Sequence, residues 1–315
     1  MVSKLTRLWP LLIASVVVAL GVWFISTQSQ SAANPRAAVA SALPASAASL
    51  KTVTITAGGM KRTYLLYVPR GDSKRHRLPL VLVYHGANES AWNAVSDNNL
   101  LNVAEQYRDM ILVYMQGYDD TWNDDAGDPP AEQANVPDIT FTTAVLHRVE
   151  SSYYVNRQRV VATGISNGAI FAELLGCRVA ADLTLIVPVE GQIASTFSGN
   201  CRPSTPIAVY EVHATSDPVI PYWGGTFSGV GGPVSVLSAP ASAARWASLD
   251  RCSPQGSASR SGDSVLTRYS GCRDQVSVTL NSIQGGGHYW PANFGETLVA
   301  VMSSLSGKRQ ARVPA

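Results

Sequence analysis

The residue types that could do chemistry in this chain converge on a serine. Gly164-Ile165-Ser166-Asn167-Gly168 has the G-x-S-x-G spacing of a nucleophile elbow, a strand-to-helix turn so sharp that the serine hydroxyl stands clear of the backbone. Glycines flank Ser166 because a Cβ would not fit beside so tight a turn. The chemistry such a serine supports is acyl transfer, which needs a base, a carboxylate behind the base, and two N–H donors for an oxyanion. The five histidines are His76, His85, His147, His213 and His288. His76 sits in a charged turn and His147 in a helical stretch, so both read as surface, whereas His85 reads as a brace for its own turn. His288 follows Gly285-Gly286-Gly287 and precedes Tyr289-Trp290-Pro291. The glycines give the loop freedom to bring the imidazole over a sheet, and Pro291 stiffens the exit. His288 is therefore the expected base. Asp217, in His213-Ala214-Thr215-Ser216-Asp217-Pro218, is the expected acid. The expected oxyanion donors are the N–H groups of Asn167, at a helix N-terminus, and Ala87, in the turn after His85-Gly86. Taken alone, each feature has a plainer reading: a helix-capping serine, an Asp-Pro turn, a surface histidine.

The elements around these residues must bring them together. Residues 80–84 and 110–114 are continuous apolar runs and read as strands buried on both faces of a mostly parallel sheet, and 159–163 (Arg-Val-Val-Ala-Thr) reads as a short buried strand. Further strands are expected at 183–189, 207–212, 265–269 and 276–283, and an antiparallel edge hairpin at 51–57 and 61–68. Helical patterns run over 92–107, 138–154, 169–175, 241–249 and 293–305, and 117–137 reads as one long loop. The alternation predicts an α/β fold with helices on both faces of the sheet, in one domain over 51–305. In such sheets active residues gather at the carboxyl ends of strands. Ser166, Asp217 and His288 each follow a predicted strand.

Composition bounds the rest. Of 315 residues, 46% are apolar and 15% charged, enough for a large core; the net charge of +2 argues against a nucleic-acid partner. The spacing of titratable residues suggests no metal site and no organic cofactor. Residues 1–33 carry Lys4 and Arg7, then an uncharged apolar run from Leu8 to Ile25, then a small-residue stretch ending at Ser31-Ala32-Ala33. This predicts either a cleaved export signal or a retained membrane anchor, the only membrane contact expected; both put the remainder outside the cytoplasm. Residues 34–50, rich in Ala, Ser and Pro, read as a linker, and 306–315 as a basic tail. Four cysteines in an exported chain suggest two disulfides; of three connectivities, proximity favours Cys177–Cys201 and Cys252–Cys272.

Four segments together resemble the secreted polyhydroxybutyrate depolymerase/feruloyl esterase family of α/β-hydrolases. They are Tyr84-His85-Gly86, the stretch 164–169, His213 to Tyr222 with its Asp217-Pro218-Val219-Ile220-Pro221-Tyr222, and Gly286-Gly287-His288-Tyr289-Trp290-Pro291. Trp122-Asn123 and Asp138 also resemble family positions, as do the four cysteines. The resemblance implies an α/β-hydrolase fold, Ser166 as nucleophile, Asp217 as acid, His288 as base, and an ester substrate, small or oligomeric. Trp122, Tyr222, Tyr289 and Trp290 are expected as walls of an acyl or aryl pocket, or else as core aromatics. The acidic stretch from Asp119-Asp120 to Asp128, if it lines the cleft, would disfavour anionic substrates. No separate polymer-binding module is evident, which points to soluble esters rather than solid polymer. Two rivals remain: a peptidase or acyltransferase using the same residues, and a non-catalytic cell-surface binding protein on a hydrolase scaffold.

Overall fold

The computed structural model describes residues 49–69, 76–107, 110–127 and 129–305. The expected export or anchor segment 1–33, nearly all of the linker 34–50, the basic tail 306–315 and Asp128 of the acidic stretch lie outside the described residues. Among the described residues no helix is long and apolar enough to cross a membrane.

The described residues open with a hairpin, β1 (Lys51–Ala57) and β2 (Met60–Tyr67), turned at Gly58-Gly59. β3 (Leu78–Tyr84) leads to α1 (Ala91–Asp97), α2 (Leu100–Tyr107) and β4 (Ile111–Met115). The long loop that follows carries one short helix, α3 (Pro130–Gln133), before α4 (Asp138–Ser152). β5 (Val155–Ile165) feeds α5 (Asn167–Arg178), and β6 (Leu185–Val189) feeds the short α6 (Ser195–Ser198). Then come β7 (Ala208–Ala214), a separate hairpin of β8 (Gly225–Ser228) and β9 (Pro233–Val236), and α7 (Ala239–Leu249). β10 (Ser257–Ser261), β11 (Ser264–Tyr269), β12 (Val278–Ile283) and α8 (Phe294–Leu305) complete it.

Among the described residues ten strands form one sheet in the order β1-β2-β4-β3-β5-β6-β7-β12-β11-β10. The six from β4 to β12 run parallel. The outer pairs on both flanks are antiparallel. Period-two alternation explains the two cores. In β3, Leu80, Leu82 and Tyr84 face a layer that includes Trp122, Phe141, Phe171 and Trp246, while Val81 and Val83 face the opposite layer with Tyr114, Trp290 and Phe294. Helices α4, α5 and α7 cover the first face and α1, α2 and α8 the second. All seven side chains of β3 are buried, as its unbroken apolar run requires.

Three expectations need correction. The single helix over 92–107 is two helices, because Asn98 is extended (φ −120°, ψ 157°) and its Oδ1 accepts the Leu100 N–H at 3.1 Å. The loop over 117–137 holds the helical turn α3. The hairpin β8–β9 and the strand β10 were not expected: β8 and β10 carry no apolar alternation, and in β9 only Val234 and Val236 alternate with Ser235, too short a run to read as a strand. Disulfides join Cys177 to Cys201 and Cys252 to Cys272, the pairing that proximity favoured, and no described cysteine is free.

Candidate active site

Ser166 stands between β5 and α5 with φ 58° and ψ −124°, a left-handed backbone that costs a non-glycine residue about 1 kcal/mol or more. The surroundings hold it there. The Ser166 N–H donates to Val189 O (3.1 Å), and its carbonyl accepts the N–H groups of Ala169 and Ile170 at 2.9 and 3.0 Å. Neither flanking glycine could carry a side chain: a Cβ at Gly164 would overlap the Gly168 carbonyl, and one at Gly168 would lie 2.5 Å from the carbonyl oxygens of both Tyr84 and His85.

The expected base and acid meet. His288 Nδ1 lies 2.8 Å from Asp217 Oδ2, with the carboxylate buried and the imidazole 16% exposed. Asp217 Oδ1 also accepts the N–H groups of Val219 (2.7 Å) and Ile220 (3.1 Å). Burial pushes the Asp217 carboxyl up, but hydrogen bonds from His213 and His288 outweigh it and hold the group well below the usual carboxylate range. Asp217 therefore remains an acceptor, able to fix one imidazole tautomer and leave His288 Nε2 for proton transfer. Ser166, Asp217 and His288 follow β5, β7 and β12, all parallel and all ending at the same edge of the sheet.

The two N–H groups expected as oxyanion donors have clear local origins. As the first residue of α5, Asn167 has an N–H without an intrahelical acceptor. In the turn after β3, Gly86 N–H goes to Glu89 Oε2 (2.8 Å) and Asn88 N–H to Asp120 O (3.0 Å), and the Ala87 N–H stands between them. His85 braces this turn from inside. It is fully buried, its Nδ1 is 2.8 Å from Gly86 O, and its Nε2 accepts the Gly117 N–H at 2.9 Å. Burial lowers its pKa to about 4, so the ring is neutral, with one donor and one acceptor nitrogen.

Of the four aromatics expected as pocket walls, three are buried. Trp122 has no exposed surface; it stacks on Phe171, and its Nε1–H donates to His85 O at 2.9 Å. It is a core residue that supports the His85 turn, because its indole had a buried acceptor to reach. Trp290 packs on Phe294 in the opposite core layer. Tyr222 donates or accepts with Ser282 Oγ at 2.7 Å and is only 7% exposed. Tyr289 is 61% exposed, beside His288, and remains free to meet a ligand. The acidic stretch is partly spent internally: Asp124 accepts from Asn167 Nδ2 (2.7 Å) and Asp125 pairs with Arg178 (3.2 Å).

Sequence reasoning missed two groups behind Asp217. Glu190, just past β6, and His213, in β7, place ligand-type atoms within 4.8 Å of one another and of Asp217. Those atoms are already engaged: His213 Nε2 with Ile220 O (3.0 Å), both Glu190 oxygens with Ala214 N–H (3.1 and 2.9 Å), and Asp217 Oδ2 with His288. The cluster is a hydrogen-bonded network rather than an open set of metal ligands. Only the adjacency of β6 and β7 brings Glu190 there, and no local pattern announces that adjacency.

No family model matches the chain. Among curated proteins it is similar to Feruloyl esterase C of Emericella nidulans, 28% identical over 246 residues covering 75% of this chain and 80% of that protein. It is also similar to Feruloyl esterase B of Piromyces equi, 26% identical over 237 residues covering 72% of this chain; the match spans only 42% of that relative. Among solved structures it is similar to an acetyl xylan esterase from Aspergillus awamori, with a TM-score of 0.57 and 13% identity over 81% of this chain and 99% of the other. That last likeness is one of fold.

Proposed function

We propose that this chain, an α/β-hydrolase with feruloyl esterases among its sequence relatives, is an exported serine carboxylic ester hydrolase working through an acyl-enzyme. The observation that carries the reading is the shared strand edge: a strained serine after β5, with a hydrogen-bonded His288–Asp217 pair supplied from β12 and β7. His288 Nε2 takes the Ser166 proton as Oγ attacks the ester carbonyl. The Asn167 and Ala87 N–H groups receive the negative oxygen of the tetrahedral intermediate, and Asp217 stabilises the imidazolium. His288 then protonates the leaving alcohol, and water activated by the same histidine cleaves the acyl-enzyme. No metal or organic cofactor takes part in these steps. The two disulfides support an oxidising, extracytoplasmic setting, with 51–305 as the catalytic body. The substrates are small or oligomeric esters of the feruloyl, acetyl or hydroxyalkanoate type, with Tyr289 at the rim.

A fluorophosphonate probe tests the nucleophile. It should label the wild-type protein at Ser166 and leave Ser166→Ala unlabelled. The same substitution should lower kcat on p-nitrophenyl esters by about 10⁴-fold or more. Methyl ferulate, 3-hydroxybutyrate oligomers and aminoacyl amides then define the class. Turnover of the amides alone would make the protein a peptidase, and no labelling with no turnover would make it a binding protein.

A further inference from the structure

Glu190 is a buried carboxyl one residue past the end of β6. It is 1% exposed, adopts a left-handed backbone (φ 50°), and is tied to β7 twice, through its N–H to Val212 O (2.9 Å) and its carboxyl to Ala214 N–H. Its neighbours are few. His213 faces it from β7, Asp217 from the loop after β7, and His288 stands behind Asp217; on the β5 side the uncharged Ser166 N–H donates to O of the adjacent Val189. His213 cannot serve both carboxyls. Its Nε2 lies 3.0 Å from Ile220 O, 3.4 Å from Asp217 Oδ2 and 3.5 Å from Glu190 Oε2, three acceptors for one N–H. Its Nδ1 has no partner among the described residues, so a second ring proton there would be buried unsatisfied. Two ionised carboxyls around one such ring would repel each other in a dry site. The proton that relieves this belongs on Glu190, since Asp217 already accepts from His288 and two backbone N–H groups.

We propose that Glu190 is a positioning residue of the catalytic site, its protonated carboxyl donating to Asp217 and so holding that carboxylate in line with His288. This role rests on the serine-esterase reading above. Burial, more than any other cause, raises the Glu190 pKa to about 9, and the neighbouring Asp217 charge adds to it. Below that pH the carboxyl is a donor; above it, a second anion faces Asp217 and the hydrogen bond is lost.

The test is the pH profile of kcat/KM on p-nitrophenyl acetate from pH 6 to about 10.5, for the wild type and Glu190→Gln. Glutamine keeps an oxygen for Ala214 N–H and an uncharged N–H donor for Asp217. The wild type should lose activity as the pH rises through about 9, and Glu190→Gln should hold its plateau beyond that point. A merely structural Glu190 would change thermal stability and leave both profiles superposable, which would overturn the proposal. If Glu190→Gln does not fold, the wild type decides alone: a fall near pH 9 supports the role and a plateau throughout overturns it. Fluorophosphonate labelling of the wild type separates the two levels. A labelled, active protein with superposable profiles would refute Glu190 only, whereas an unlabelled one would refute both.

Discussion

Two carbonyl oxygens, those of Tyr84 and His85, demand a glycine at 168. They close on the position from β3 and the turn after it, each 2.5 Å from where a Cβ would sit. Gly168→Ala would force α5 away from β3, at a cost of about 1–3 kcal/mol. The displacement would also carry the Asn167 N–H off the oxyanion position proposed for it. The expected outcome is a lowered thermal midpoint together with a lowered kcat and little change in KM, measured on the same preparation. A substitution of equal cost in the opposite core layer should lower the midpoint alone. The residues that make this site legible in the sequence are those that need a local conformation. Gly164, Ser166, Gly168 and Gly286 betray themselves because positive φ or close backbone approach restricts their type. Glu190 adopts φ 50° as well, yet a glutamate carries no such signal, so its position was invisible.

The loop between β4 and α4 shows how an element without regular structure is held. Asp138, the first residue of α4, pairs with Arg62 of β2 at 2.7 Å, both nearly without exposure, and also accepts the Asn123 N–H at 2.9 Å. Arg62 lies over the Phe141 ring, 4.3 Å from its centre. The loop is fastened at its other end by Asn167, whose side chain exchanges hydrogen bonds with both the N–H and the carbonyl of Trp122. Asp138→Ala would leave the Arg62 guanidinium buried without its anion, costing about 3–5 kcal/mol. Urea denaturation should report a loss of that order, with the midpoint falling and the slope unchanged. The sequence announced β3 and β4 by apolar runs, β5 by Val160-Val161-Ala162 just ahead of the sharp turn, and the helices by their periodicity. It hid the break at Asn98 and the hairpin β8–β9, since one asparagine side-chain hydrogen bond and two strands of four residues leave too little hydrophobic period to read.

At the scale of the whole molecule, a second pair of acids sits deep between α5, β7 and α7. Glu173 accepts from Trp246 Nε1 and Glu211 accepts from Ser242 Oγ, and neither carboxyl reaches water. Burial raises both pKa values, Glu211 to about 8, and the charge of Glu211 raises Glu173 further. Folded protein therefore holds protons that unfolded chain, with glutamates near 4.3, has released. Stability must fall as the pH rises from that range towards about 8, at about 1.4 kcal/mol per pH unit for each proton held. Glu211→Gln removes one of these titrations. Its thermal midpoint should exceed that of the wild type at pH 9 by more than at pH 6, and a constant difference across that range would contradict the linkage. Resemblance in sequence segments pointed to feruloyl esterases and to this architecture, and the relatives and the fold agree with it. It carried no information on these buried acids, because burial is a property of the assembled layers.

The two flanks of the sheet treat their open hydrogen-bonding edges differently from its centre. β10, the last strand, has five exposed residues, Ser257, Ala258, Ser259, Arg260 and Ser261, and pairs only with β11. A strand that short, serine-rich and charged offers a poor template for another chain to zip onto, as bare edges otherwise invite. Fibril-like stacking of one copy on another is thereby disfavoured at the flank where the parallel strands would otherwise lie open.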